Sequence, residues 1–376
     1  MDKIENSQRA VLYINLGFLE YNYRAIKSLL PEHVKILCVI KADAYGHGAV
    51  RVAQRLNSIG VEYFGVATVD EAVNLRKNGI QTPLLIMSGI LPWDDPMSFL
   101  EYNLTPVVYD PYTLKRIADG HDKFKTPLKI HIKFDTGMGR LGFMPHEGQY
   151  IIETLKNIDN IHIEGVMTHF SASETRDEYG LNQIKKFKDV LEFLKHNKIE
   201  PIYIHMANSG GIINYPEAHF NMVRLGISLY GSYPDTSLKN KVKLKQAMQL
   251  TSKIALIRDF SEKNFLSYGR TFLTQRKTRI AYVPLGYSDG YPRALSNKGN
   301  VLINDKRCCI VGRVCMDWIL IDITDCPDVK VGDEVVLMGY GANDSITADE
   351  IAGLEGTIPY EVLCRLSKKI KRCYID

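Results

Sequence analysis

The sequence predicts an α/β fold, an N-terminal (β/α)8 TIM barrel over residues 1–240, followed by a C-terminal all-β domain over residues 241–376. Three observations favour this fold class. The chain has 376 residues, which suits about two domains. Eight short apolar runs alternate with polar or helical segments before Gly231. The length of this region is close to that of a (β/α)8 barrel. After Gly231 the pattern changes to strands separated by turn sequences.

The eight apolar runs are the predicted strands of the barrel. Several are continuously apolar rather than alternating, which is typical of parallel strands that helices cover on both faces. Between them, Asp70–Lys77 and Gln183–His196 have the apolar periodicity of helices. A further helix is predicted before the first strand, with Asn15 as its candidate N-cap. The predicted strands are Val34–Ile40, Tyr63–Ala67, Leu84–Met87, Pro106–Tyr109, Leu128–Phe134, Ile161–Met167, Ile202–Met206 and Met222–Leu225.

The C-terminal domain is predicted from a Lys-rich link, Lys239–Lys245, followed by short strands. Turn-forming residues at 286–291 and 297–299 separate some of these strands. The predicted strands are Gln249–Ile257, Thr278–Val283, Asn300–Ile303, Arg307–Val311, Ile319–Ile323 and Glu334–Met338.

Composition excludes several classes of function. Lys and Arg total 47 against 43 Asp and Glu, so the small net charge of +4 indicates neither a nucleic-acid partner nor a membrane surface. The first apolar stretch, Val11–Leu19, is interrupted by Asn15 and is neither a signal peptide nor a membrane span. The seven cysteines form no Cys-x-x-Cys pair, which predicts reduced thiols, a cytoplasmic protein and no metal site.

The residues after the predicted strands should converge, because active sites of such barrels lie where the carboxyl ends of the strands meet. Lys41 follows the first strand, Arg140 the fifth, His169 the sixth and Ser209 the seventh, while Arg224 lies in the eighth. Taken singly, such a lysine is usually a solvated strand end, and such a histidine a hydrogen-bonded structural residue. Together they fit an aldehyde cofactor with a phosphate tail, since a lysine amine binds the aldehyde and backbone N–H groups bind the phosphate.

A second interpretation comes from residues 137–142, which spell Gly-x-Gly-x-x-Gly after a strand and are compatible with a nicotinamide dinucleotide site. Two features disfavour it. The motif follows the fifth strand rather than the first, and Pro145 comes before any helix can form. Binding of NAD by the purified protein would distinguish this dehydrogenase hypothesis.

Residues 39–48, Val-Ile-Lys-Ala-Asp-Ala-Tyr-Gly-His-Gly, closely resemble the cofactor-lysine signature of bacterial alanine racemases, which are fold-type III enzymes dependent on pyridoxal 5′-phosphate. The resemblance extends over nearly the whole chain in the motif order of that family. The other matching segments are 133–142, 167–170, 205–209, 223–227, 267–270, 283–291, 311–317 and 356–361.

The resemblance implies interconversion of L- and D-alanine, with D-alanine supplied for peptidoglycan. Catalytic roles would fall to Lys41, which also holds pyridoxal phosphate, and to Tyr268. Arg140, Tyr287 and Met316 would bind the substrate, and Lys133 would be carbamylated and orient Arg140. The implied cofactor-binding residues are Lys41, Tyr45, His169, Asn208, Ser209, Arg224, Gly226, Ile227 and Tyr360.

Two catalytic groups are expected because inversion of a stereocentre removes a proton on one face and delivers one on the other. A tyrosine has an ordinary pKa of about 10, so it needs nearby positive charge to act as a base. By the resemblance, Tyr268, Tyr287 and Met316 would enter from the partner of a homodimer with shared active sites. The barrel groups all precede Gly231, whereas the second base lies in the β domain.

Other functions stay open at this point. One is a racemase of another small amino acid such as serine, and another is a decarboxylase of the same fold that uses pyridoxal phosphate. A third is a non-catalytic protein that binds this cofactor. The chain also departs from the family pattern. Gly210 and Gly211 stand where alanines are common, and we expect them to loosen the loop beside Ser209. Pro359, which directly precedes Tyr360, stands where many relatives carry Asn and confines Ile358 to extended conformations.

Overall fold

The computed structural model describes residues 8–376, and it confirms the predicted fold class. Eight parallel strands form a closed barrel, in which the first barrel strand pairs with both the second and the last. Each strand overlaps the apolar run that predicted it. The barrel strands are β2 (Lys35–Val39), β3 (Tyr63–Val66), β4 (Leu84–Ile86), β5 (Thr105–Val108), β6 (Leu128–Lys133), β7 (Ile161–Met167), β8 (Tyr203–His205) and β9 (Met222–Leu225).

Helices surround the barrel, and most of them begin at a residue that caps the first turn. The side chain of Asn15 accepts a hydrogen bond from the Phe18 N–H at 2.8 Å, as its position in the sequence predicted. Thr68, Asp110 and Asp177 do the same for three later helices. The helices of this part are α1 (Leu16–Lys27), α2 (Ala49–Ser58), α3 (Val69–Lys77), α4 (Pro96–Glu101), α5 (Pro111–Asp119), α6 (Gly148–Leu155), α7 (Glu178–His196) and α8 (Ser209–Asn214).

The C-terminal region is rich in sheet and also contains two helices, α9 (Ala348–Glu355) and α10 (Pro359–Cys364). Gln249–Ile257, predicted as one strand, is divided between two strands of different sheets. No glycine or proline marks the division, so the sequence pattern did not reveal it. The strands are β10 (Met248–Lys253), β11 (Leu256–Phe260), β12 (Phe265–Leu266), β13 (Phe272–Leu273), β14 (Thr278–Val283), β15 (Asn300–Ile303), β16 (Lys306–Cys309), β17 (Ile319–Asp322), β18 (Glu334–Tyr340), β19 (Ser345–Ile346) and β20 (Lys371–Ile375).

The first strand of the chain, β1 (Ala10–Asn15), belongs to the largest C-terminal sheet rather than to the barrel. It pairs antiparallel with β10 and parallel with β20. The sheet has the order β16-β15-β18-β10-β1-β20, while β11, β14 and β17 form a second sheet. Through its pairing with β20, β1 joins the first described strand to the last. The domain boundary at residue 240 stays a prediction. Within residues 8–376, no helix is both long and apolar enough to cross a bilayer.

Candidate active site

Lys41 lies two residues beyond the end of β2, at the start of a tight turn that ends at Tyr45. The residues from Ala42 to Tyr45 all have positive φ angles, between 52° and 54°, which are unusual for residues with a side chain. The turn places the side chains of Lys41 and Tyr45 on the same cavity. Burial and the nearby Arg140 lower the pKa of the Lys41 amine, and the Glu71 carboxylate opposes this effect.

The cavity has a volume of about 440 Å³ and opens at the carboxyl ends of the barrel strands. It brings together most of the residues predicted from the sequence. In the described part of the chain, its lining contains four cationic side chains and no carboxylate. The predicted residues that line it are Lys41, Tyr45, Lys133, Arg140, His169, Asn208, Ser209, Arg224, Gly226, Ile227 and Tyr360.

Arg224 is the most buried cation of the cavity, with 1% of its surface exposed. Its Nη1 donates to the Nδ1 of His205 at 2.9 Å, and its Nη2 donates to the Nδ1 of His169 at 2.8 Å. Backbone carbonyls accept further hydrogen bonds from both groups. Burial and Arg140 lower the pKa of Arg224 to about 9, so the guanidinium is still protonated near neutral pH. The Nε–H, by contrast, is buried and has no hydrogen-bond partner among residues 8–376.

A chain of buried side chains continues from Arg224 into the barrel interior. The Nδ1 of His205 accepts from Arg224, so its Nε2–H donates to the Nδ1 of His131 at 2.9 Å. The Nε2–H of His131 then points to Glu164 at 3.4 Å. Burial lowers the pKa of both histidines, which keeps them neutral. Sequence analysis missed His131 and Glu164, although polar residues inside apolar strands are a signal that could have identified them.

The pKa of Glu164 results from opposing effects. Burial raises it, but hydrogen bonds from His131, Lys129 and Tyr63 outweigh burial and lower it to about 2. This carboxylate therefore ends the chain as an anion, and its ion-pair partner is Lys129, whose Nζ lies 2.9 Å from Oε1.

His169 faces the same guanidinium from another side. Its Nδ1 accepts from Arg224, so the proton of the neutral ring is on Nε2. Burial, together with Arg224 and Lys133, holds the pKa of His169 well below its ordinary value. The ring therefore borders the cavity as an uncharged group.

Lys133 and Arg140 lie at the end of β6 and in the loop that follows it. Lys133 is 5% exposed, and burial together with Arg140 and Arg224 lowers its pKa to about 8. The carboxylate of Asp135 shapes the loop by accepting hydrogen bonds from the N–H groups of Gly137, Met138 and Arg140. These bonds fix the backbone from which the Arg140 side chain reaches the cavity. They also explain the glycines at 137–142 as loop residues of a barrel rather than as a dinucleotide motif.

The structure provides a cradle that fits a phosphate group. A Cβ on Gly226 would lie 3.2 Å from the Tyr45 hydroxyl and 3.7 Å from the Ser209 Oγ, so both hydroxyls face the same space beside this backbone. The Ser209 Oγ also accepts the N–H of Gly226 at 3.0 Å. The Ser228 Oγ is also buried, and no described residue forms a hydrogen bond with it. Hydroxyl and N–H groups of this kind bind phosphate oxygens, and the unpartnered Nε–H of Arg224 fits a pyridine nitrogen.

Two departures from the family pattern are well accommodated. Pro359 is the first residue of α10, where its missing N–H costs no hydrogen bond, and Ile358 is extended as expected. Tyr360 lines the cavity, and its ring centre is 5.9 Å from that of Tyr45. The expected loosening at Gly210 and Gly211 is wrong. Both are buried in α8, and a Cβ on Gly210 would lie within 2.5 Å of the Ser173 Oγ.

Tyr268, Tyr287 and Met316 are not among the residues that line this cavity. They lie in the C-terminal region and are exposed by 70%, 42% and 53%. The loops that carry Tyr287 and Met316 contact each other through backbone hydrogen bonds. Arg9 joins the same loops by ion pairs with Asp289 and Asp317.

A closed parallel barrel with a lysine and two arginines at its carboxyl end, followed by a sheet-rich region, defines the class of two-domain barrel enzymes. The sequence profile described as "Alanine racemase, N-terminal domain" matches residues 14–234, and "Alanine racemase, C-terminal domain" matches residues 247–374. The chain belongs to the alanine racemase family, an isomerase family.

Individual relatives match over nearly the full length. Alanine racemase of Halothermothrix orenii is 41% identical over 362 residues, covering 96% of this chain and 95% of the relative. Among solved structures, alanine racemase of Clostridium difficile 630 has 39% identity and a TM-score of 0.89, covering 98% of this chain and 96% of the other. The Bacillus anthracis alanine racemase with bound L-Ala-P has 33% identity and a TM-score of 0.91, with coverages of 98% and 95%.

Proposed function

We propose that this chain interconverts L- and D-alanine with pyridoxal 5′-phosphate held on Lys41, in a homodimer whose partner completes each active site. The observation that carries the proposal is the common cavity of Lys41, the unpartnered Nε–H of Arg224 and the hydroxyl cradle beside Gly226. The names of the relatives indicate alanine as substrate. The cytoplasm is the proposed location, because the seven cysteines are free thiols, as is usual in a reducing compartment.

Each side chain has a definite task in this proposal. The Lys41 amine holds the cofactor aldehyde, while Tyr45, Ser209, Tyr360 and the backbone at 226–227 hold its phosphate. Asn208 fixes Ser209 at the start of α8, where its Oδ1 accepts the Gly211 N–H at 3.0 Å. When bound, pyridoxal phosphate delocalises the negative charge that forms at Cα after its proton is removed.

The two proton-transferring groups are Lys41 on one face of Cα and Tyr268 of the partner on the other. Arg140 binds the substrate carboxylate, and Tyr287 and Met316 of the partner limit the side-chain space. Arg224 would donate a hydrogen bond to the pyridine nitrogen without giving up its proton, because a guanidinium with a pKa of about 9 stays protonated near neutral pH. The nitrogen therefore stays neutral, which restrains side reactions such as transamination.

Borohydride reduction and an activity panel test the chemical part. After reduction, peptide mapping should find the cofactor on Lys41 and on no other lysine, and Lys41→Arg should lose the label. Purified protein should racemise single enantiomers of alanine, with loss of optical purity as the readout. Faster racemisation of serine, release of carbon dioxide, or a label elsewhere would each contradict the proposal.

Complementation tests the shared site. Lys41→Ala and Tyr268→Ala should each be nearly inactive, but a mixed dimer should have one site with both defects and one intact site. Random reassortment makes about half of the dimers mixed, so activity should recover to roughly a quarter of the wild-type value. Lys41→Ala mixed with Arg140→Ala is the control, because both residues line the cavity of the same chain and no site is intact. If Tyr268 acted in its own chain, neither mixture would recover activity.

A further inference from the structure

The turn after Lys41 has a conformation that its own residues disfavour. Ala42, Asp43, Ala44 and Tyr45 have φ angles of 53°, 54°, 54° and 52°, in the left-handed region. A side chain brings its Cβ close to the backbone in this region, so residues other than glycine adopt it at a cost in energy. Several in succession persist where the surrounding structure fixes them. The contacts that hold this turn therefore decide where the Lys41 amine lies.

Glu71 makes a side-chain contact with the residue that directly follows Lys41. Its Oε1 accepts the N–H of Ala42 at 2.6 Å, directly after Lys41, and its Oε2 accepts the N–H of Ala67 at 2.7 Å. Glu71 lies in the first turn of α3, and Ala67 follows β3. One carboxylate thus joins the first residue of the strained turn to the end of the neighbouring barrel strand.

We propose that Glu71 is a positioning residue, whose carboxylate clamps the turn and fixes the Lys41 side chain for covalent attachment of the cofactor. This inference rests on the proposed function of Lys41. The chemistry requires a carboxylate of this length. A glutamine has one acceptor oxygen, and its NH2 group would face the second N–H donor. An aspartate is one methylene shorter and does not span the two N–H groups from the same backbone position.

Other contacts also hold the turn, but they bind groups different from those that Glu71 binds. Within the turn, the N–H of Ala44 donates to the carbonyl of Ile40 at 2.9 Å, and the N–H of Gly46 donates to that of Ala42 at 3.0 Å. Two side chains act on its later part. Asp43 accepts the N–H of Ala49 at 2.8 Å, and Arg372 donates to the carbonyl of Gly46 at 2.8 Å. Both act beyond Ala42. Glu71 also brings a negative charge near the Lys41 amine, which otherwise faces the cations Arg140 and Arg224 and the Cys364 thiol.

Hydrogen exchange of Glu71→Gln tests the clamp without relying on activity. In the protein as purified, amides of the segment 40–49 should exchange about tenfold faster than in wild type, the size expected for losing one hydrogen bond to a charged group. Exchange in barrel strands away from this turn should not change. Asp70→Asn is the matched control, because Asp70 is an exposed carboxylate one residue away with no hydrogen bond or ion pair among residues 8–376.

Cofactor capture tests the consequence for Lys41. After the cofactor is removed with hydroxylamine, the rate at which added pyridoxal phosphate becomes fixable to Lys41 by borohydride should fall about tenfold in Glu71→Gln. It should stay at the wild-type value in Asp70→Asn. With alanine as substrate, kcat should fall while KM changes little, because Arg140 is untouched.

Each outcome has a definite meaning. Wild-type exchange and wild-type capture in Glu71→Gln would overturn the positioning role and leave the cofactor on Lys41. Equal slowing in Asp70→Asn would overturn it as well, because the effect would then be one of general charge. If the wild-type protein itself took no label on Lys41, the proposed function would fail, and the exchange result would still decide whether Glu71 clamps the turn.

Discussion

Lys133 offers a quantitative test of how the cavity balances its charge, with bicarbonate as the perturbation. No ion pair among residues 8–376 includes this buried amine. Burial lowers its pKa most, the cations Arg140, Arg224 and Lys41 lower it further, and the Asp135 carboxylate opposes them. We predict that the amine reacts with carbon dioxide to form a carbamate, an anion that orients Arg140.

The magnitude follows from the pKa of Lys133, which burial and the cations lower from 10.5 to about 8. At pH 7 about one-tenth of such an amine is neutral, roughly 300 times the fraction of an ordinary lysine. Only the neutral amine attacks carbon dioxide, so the site is favoured over other lysines by about that factor. The same shift means that the uncompensated ammonium costs the folded protein about 3 kcal/mol.

Carbon-13 NMR with labelled bicarbonate detects the modification. Wild-type protein should give a carbamate signal that grows between pH 6 and 8, as the amine loses its proton. Lys133→Met should lack the signal. Lys129→Met is the control, because Lys129 lies on the same strand but is paired with Glu164 at 2.9 Å, and its loss should leave the signal intact. The KM for alanine should rise in Lys133→Met, since Arg140 loses its orienting anion.

The free energy of unfolding, measured as a function of pH, tests the same reasoning about Lys133. In bicarbonate-free buffer, Lys133→Met should be more stable than wild type by about 3 kcal/mol at pH 7, measured by denaturant unfolding. The pKa of this base is lowered on folding, so its cost is fully present below about pH 8. The cost disappears as the pH rises to 10.5, where the amine is neutral in both states. Absence of both the carbamate signal and this stability difference would refute the reasoning.

Two further predictions concern the second base and the buried chain. Tyr268→Phe should sharply reduce racemisation in both directions, because each direction uses the tyrosine once as base or acid, and near-normal rates would assign that role to another group. Glu164→Gln should lower the free energy of unfolding by about 3 kcal/mol at pH 7, since folding lowers the pKa of this carboxyl to about 2. That difference should vanish as the pH falls from about 4.5 to 2, and a constant difference over this range would contradict it.

The barrel could be predicted because each of its strands is a buried apolar run, and burial on both faces leaves a clear signal in one segment. The division of Gln249–Ile257 could not, because both parts are extended and the change of sheet depends on distant partners. β11 pairs with β14, while β10 pairs with β1, more than 200 residues earlier. Pairing of β1 with the C-terminal sheet is likewise a long-range choice that a local pattern does not encode.

The residues of the cavity likewise divide into those with a local signal in the sequence and those that depend on distant contacts. Residues that follow strands could be assigned to one face of the barrel, because the fold brings these positions together whatever the loops do. His131, Glu164 and Glu71 were missed because their importance depends on single contacts, such as the 2.6 Å bond from the Ala42 N–H to Glu71. Nor did the sequence predict the left-handed turn after Lys41, since Ala, Asp and Tyr give no local signal for positive φ.

Charge explains why these residue types occur together. The cavity lining contains Lys41, Lys133, Arg140 and Arg224 without a carboxylate, and its histidine is neutral. Burial, followed by the repulsion between these cations, lowers the pKa values of Lys41 and Lys133. Anions of the proposed reaction relieve this repulsion, namely the cofactor phosphate, the substrate carboxylate and the carbamate. The Glu71 carboxylate acts on Lys41 from outside the lining, so it balances part of the charge and leaves the cavity itself free for these anions.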